Sequence, residues 1–205
     1  MRQSHEVDYE ILGEDLLRSV TLPNRWTLLL LALLFALAPA GADPAARTAY
    51  FQSIDPPSAR LAQLNASFIS TVDELQAKRD LAGLRQSVGE FQQNYSAVGE
   101  ELGKVSAPAD CQTFHEALTR LVQVQVEVNQ ALLDTVDKGL ALSGEVKAMK
   151  EAGATDEAMK ARIDEFSAGQ APLRARMQTL QDEASALEKT IRSERDKLQG
   201  TASEA

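Results

Sequence analysis

The 205-residue chain contains one cysteine, one tryptophan, two histidines and only 5% aromatic residues. A single cysteine cannot build a disulfide framework, which excludes a disulfide-stapled small fold. With histidine at His5 and His115 alone, there is no H-E-x-x-H, no C-x-x-C-H and no Glu-x-x-His repeat of the di-iron bundles. Glycine loops that cradle phosphate are missing as well. Basic residues are in deficit, 21 against 30 acids, for a formal charge of −9. A phosphate backbone is bound mainly by clustered Lys and Arg, so a nucleic-acid partner is not expected. The densest apolar run, residues 26–38, is shorter than the roughly 20 residues a spanning helix needs.

That run has the layout of an export signal. Arg25 precedes Trp26-Thr27 and a leucine-rich stretch, and Pro39-Ala40-Gly41-Ala42 closes it with small residues in an A-x-A pattern. Cleavage after Ala42 is expected, leaving 163 residues in a periplasmic or secreted protein. The region ahead of the run is long for a leader and carries three arginines against five acids. Translation from Val20 through a valine codon would give a compact leader, and any peptide from residues 1–19 in cells excludes it. Residues 5–13, His5-Glu6-Val7-Asp8-Tyr9-Glu10-Ile11-Leu12-Gly13, resemble the opening strand of a β-sandwich family related to the tryptophan RNA-binding attenuator. The resemblance ends there and implies no function.

From residue 57 onward the apolar positions fall at alternating steps of three and four. One series runs Leu81, Leu84, Val88, Phe91, Tyr95, Val98, Leu102 and Val105. A second runs from Phe114 through Leu118, Leu121, Gln125, Val128, Leu132, Thr135, Gly139, Leu142 and Val146 to Met149. A third runs from Met159 through Ile163, Phe166, Gln170, Leu173, Met177, Leu180, Ala184, Leu187, Ile191 and Glu194 to Leu198. Repeats of this kind predict helices packed as coiled coil, and the alternation Val122-Gln123-Val124-Gln125-Val126 lies inside one of them, with Val124 at the seam's edge.

The expected fold is all-α, an elongated antiparallel bundle of three long helices over 58–105, 109–152 and 156–199. The first breaks near 76–81 on a four-helix alternative, because its seam slips phase at Lys78-Arg79-Asp80. Asp55-Pro56-Pro57 is expected to open the first helix, Ser106-Ala107-Pro108 the second, and Gly153-Ala154-Thr155 to separate the second from the third. The predicted organisation is a leader over 1–42, a linker over 43–56, the bundle over 57–199 and a tail over 200–205.

Folding the chain at residues 107 and 154 brings Leu75, Gly139 and Gly169 to one height, with Gln170 and Pro172 beside them. Pro172 removes a helical hydrogen bond, so a kink is expected there. The layer reads either as a hinge or small pocket, or as glycines that simply accommodate the bend; the second is the expected reading.

Catalysis usually draws on converging groups that include a histidine. Past Ala42 only His115 remains, one residue beyond a seam position, and the paired acids at 100–101, 156–157, 164–165 and 182–183 read as solvated faces and caps. No catalytic residue, cofactor or metal is expected. Cys111 either links two chains or is buried and inert, the latter being expected. The chain therefore reads as an exported, non-catalytic binding, scaffold or adaptor module. Its partners would be proteins or a second copy met through its helices, with membrane contact only through an uncleaved N-terminal segment. The alternatives are a membrane-tethered ectodomain and a small-ligand carrier using the mid-height layer.

Overall fold

The computed structural model describes residues 44–200, all in helices and short turns with no strand among them. Helix α1 is Pro44–Ala77, α2 is Leu81–Leu102, α3 is Gln112–Glu151, α4 is Asp156–Gly169 and α5 is Ala171–Gly200, with a 3-10 turn at Ala109–Cys111 before α3. The all-α bundle holds, in its four-helix form: the first segment breaks at 78–80, and α4 and α5 are the two parts of one interrupted helix. The leader, its cleavage point, the Val20 start and residues 201–205 lie outside the described residues.

Side-chain pairs fix the register. Arg60 meets Glu101 and Asn65 meets Tyr95, so α1 and α2 run antiparallel. Gln92 meets Gln130 and Arg85 meets Asp137, which sets α2 antiparallel to α3. Arg120 grips Glu183 with two nitrogens, at 2.6 and 2.9 Å, and Arg162 meets Glu145, which does the same for α3 against α4–α5. Short connections make consecutive helices neighbours, as expected of an up-down bundle.

Helix α3 is the central element. Its predicted seam from Phe114 to Val146 is buried throughout, including Gln125, Thr135 and Gly139. Val124, read from sequence as a seam edge, is fully buried. The reason is that α3 is covered on two sides, by α2 and by α5, so it needs two apolar stripes rather than the single a/d stripe of a coiled coil.

The expected linker is instead the first turns of α1. Helix α1 passes through Pro56 and Pro57, and Tyr50 and Ile54 ahead of them are 3% and 0% exposed. Two prolines deprive the carbonyls of Gln52 and Ser53 of their helical donors. Both of those residues are exposed, where water can serve the carbonyls, and burial of Tyr50, Ile54 and Leu61 on one stripe holds the helix together across the prolines.

The α1–α2 turn works without glycine. The Asp80 N–H bonds to the Leu75 carbonyl and the Arg79 N–H to the Gln76 carbonyl, the Schellman pattern, with Arg79 at φ 56° in the left-handed position that glycine usually fills. The α3–α4 turn repeats the pattern with Gly153 at φ 78°. Asp80 then caps α2, its carboxylate accepting from the Gly83 N–H at 2.8 Å. The left-handed conformation disfavours a residue with a Cβ, so Arg79→Gly is expected to raise unfolding stability by about 1 kcal/mol in chemical denaturation. Thr155 caps α4 as expected, accepting from the Ala158 N–H. Ser106-Ala107-Pro108 does not open α3 directly: Pro108 is extended at ψ 156°, leads into the 3-10 turn, and the α-helix begins at Gln112.

Past Asp137, which is level with Arg85 near the start of α2, helix α3 outruns the α1–α2 hairpin. Its last turns pair with α4 alone, around a separate core of Leu142, Val146 and Met159. The bundle thus carries a two-helix arm at the end remote from Pro44.

Candidate functional site

Among the described residues, polar chemistry gathers in apolar surroundings at several places, of which three are built by more than one helix. The first is the predicted mid-height layer. Gly139 is buried on α3, and Leu75 is half-buried against the core of Val72, Leu84, Leu132 and Val136. Gln170 interrupts the helix between α4 and α5; it is 4% exposed and its Oε1 has no hydrogen-bond partner. Gly169 and Pro172 are exposed on the outer side of that interruption. Leu75 reaches this height because α1 turns back at 78–80, not because a single long first helix runs past it.

The second place, which the sequence pattern does not reveal, is an amide layer higher in the bundle. Gln125 and Asn129 are buried on α3, and Asn65 accepts a 2.7 Å bond from the Tyr95 hydroxyl at nearly the same height. Asn129 is 1% exposed with neither amide atom paired. The layer divides the apolar core that ends at Val128 from the one that begins at Leu132. Asn129 is hidden in the sequence because it lies one residue off the a/d seam, on the second stripe that α3 turns out to need. An unpaired buried amide costs about 1–3 kcal/mol. Asn129→Leu is therefore expected to raise the melting temperature by about 2–12 °C in a thermal scan, given about 2–4 °C per kcal/mol for a chain of this size.

The third place ties the beginning of α1 to the beginning of α3. Arg47 is 4% exposed and forms an ion pair with Asp110. One turn on, the Tyr50 hydroxyl lies 3.2 Å from Nδ1 of His115, and their rings meet edge to face. Burial raises the Tyr50 pKa well above its ordinary value, so the hydroxyl keeps its proton, and it donates to neutral His115 in the tautomer whose Nδ1 carries no hydrogen. Burial also lowers the His115 pKa, with Glu116 opposing it, which favours that neutral form near pH 7.

Cys111 lies at the same junction and is completely buried. Burial first, then the Asp110 carboxylate, pushes its thiol up to about 11, so little of it is thiolate near neutral pH. Both facts favour the inert reading over the intermolecular disulfide, which requires Sγ to leave the core. A nucleophile needs the reverse, an exposed sulfur with a lowered pKa. Among the described residues no group of three or more His, Cys, Asp or Glu side chains is placed to hold a metal ion. No described helix is long and apolar enough to cross a membrane.

No family model, curated protein or solved structure matches this chain. What the site does therefore rests on its own geometry. The Arg47–Asp110 and Tyr50–His115 pairs, with Phe51 stacked edge to face on Phe114 at 5.9 Å, act as a latch that docks the first turns of α1. Its chemistry is that of a fastening: a charge pair with its arginine buried and its carboxylate partly exposed, a directional hydrogen bond and ring packing.

Proposed function

We propose that this chain is an exported, non-catalytic helical bundle that serves as a binding or adaptor module in the cell envelope or periplasm, with the α3–α4 arm as its partner-facing element. The arm carries the proposal. Two helices extend past the ends of their neighbours, around a small core of their own, and so offer long lateral surfaces to a partner helix. Export is supported by the apolar run 26–38 and the A-x-A motif ending at Ala42.

A photo-crosslinking residue placed at Ala148 on the arm, compared with one at Gln93 on α2, tests the reading in envelope extracts. Both positions are exposed. A discrete crosslinked product from the arm position and none from α2 is the expected outcome; equal or no crosslinking from both overturns it. Processing is read separately. Trp26 is the chain's one tryptophan, so cleavage after Ala42 leaves a protein with tyrosine emission only, and retained tryptophan emission favours a tethered ectodomain instead.

A further inference from the structure

We propose that the bundle is articulated: residues 140–169 form an arm that swings as one unit about a hinge at the height of Gly139 and Gln170. The α4–α5 helix is interrupted there. The Gln170 N–H reaches the Ser167 carbonyl at 3.3 Å in a tightened turn, and the regular ladder resumes only with the Arg174 N–H on the Gln170 carbonyl at 3.0 Å. Pro172 has no N–H to offer the Ala168 carbonyl, so the helix is weakened over consecutive residues. Helix α3 has its own weak position within about a turn of that height, because Gly139 is a poor helix former and brings no side chain to the interface. Weak points in both helices at one height are what bending two paired helices together requires.

The packing agrees. The arm's buried core of Leu142, Val146 and Met159 is distinct from the next buried core, whose α3 members are Leu132 and Val136 and against which only half-buried Leu140 at the arm's base packs. Arg162 holds Glu145 across the arm, and Arg85 holds Asp137 just above the hinge, so each side is fastened internally.

Gln170 supplies two states of similar energy. In the arrangement described, its Oε1 is buried and unpaired, an unfavourable condition. A bend that opens the α3–α5 interface at this height admits water to that oxygen, which offsets the exposure of apolar surface nearby. Neither state is then strongly preferred, and a partner that grips the arm can select one. The lever from Gly139 to Ala152 is about 20 Å at 1.5 Å per residue, so a bend of about 20° displaces the tip by roughly 7 Å.

Pulsed electron spin resonance on the purified chain tests this, with Cys111→Ala removing the native thiol. One label pair joins the arm tip to the body, Ala152→Cys with Ser67→Cys; the control pair lies within the body, Ser67→Cys with Ser185→Cys. All three labelled positions are exposed. The arm–body distance distribution is expected to be at least about twice as wide as the body–body one, and Gln170→Leu with Pro172→Ala is expected to narrow it. Equal widths in the parent chain overturn the proposal, whatever the variant does. A wide arm–body distribution that the folded variant leaves unchanged also overturns it, because the motion then has another seat.

Discussion

A chain that begins at Pro57 is expected to lose cooperative thermal unfolding, whereas one that begins at Pro44 retains it. The shorter chain is what a boundary drawn from Asp55-Pro56-Pro57 suggests, since it removes only the stretch that reads as linker. In the structure that stretch holds Tyr50 at 3% and Ile54 at 0% exposure, together with the buried Arg47. Losing a buried isoleucine side chain costs about 2–5 kcal/mol and a large aromatic about 3–5. Their sum approaches the 5–15 kcal/mol of net stability typical of a whole domain. Circular dichroism on heating distinguishes the cases: a sigmoidal transition for the chain from Pro44, and a shallow, sloping loss of helix for the chain from Pro57. A melting temperature unchanged by the truncation would show that the first turns of α1 are dispensable.

The second large effect is expected from Asp110→Ala, which removes the carboxylate that pairs with the buried Arg47 guanidinium. Breaking a buried pair on one side costs about 3–5 kcal/mol, because the remaining charge stays desolvated. Asp110 is itself partly exposed, its side chain at 27%, which places the expected loss near the lower end, about 3 kcal/mol. At about 2–4 °C per kcal/mol the melting temperature falls by roughly 6–12 °C. Replacing both partners, Arg47→Met with Asp110→Ala, is expected to restore most of the loss, since an apolar pair of similar volume carries no stranded charge. The double-mutant cycle separates the pair from its surroundings. Loosening the latch also uncovers Cys111, so Asp110→Ala is expected to react faster with a thiol reagent than the parent chain. A loss below about 0.5 kcal/mol would mean that Arg47 finds water where the structure shows protein, in the range of an exposed pair.

Much of the fold is legible because burial writes a period into sequence. The series from Phe114 to Val146 lies in the core, and Gly153 and Thr155 end and begin helices where their chemistry says they should. What misleads has specific causes. Pro56-Pro57 looks like a helix start, yet the helix continues through it because Tyr50 and Ile54 are buried on the far side. Arg79 takes the place of a glycine at the α1–α2 turn, so the break shows only as a phase slip. The hinge layer is visible as a coincidence of glycines and a proline. The latch is not, because Arg47 sits among alanines and threonine in a stretch that resembles a tail, and its partner Asp110 lies 63 residues away.

That separation has a kinetic consequence. The α1–α2, α2–α3 and α3–α4 pairings join segments adjacent in sequence and close through short turns. Low contact order of this kind favours folding in microseconds to milliseconds. The latch and the α3–α5 pairing close over longer stretches, 63 residues for both Arg47–Asp110 and Arg120–Glu183, so the first turns of α1 gain Arg47–Asp110 and Tyr50–His115 only once residues 110–115 are in place. As the chain emerges amino end first, the first turns of α1 are made early yet dock late, and they remain open to proteases until the start of α3 arrives to hold them.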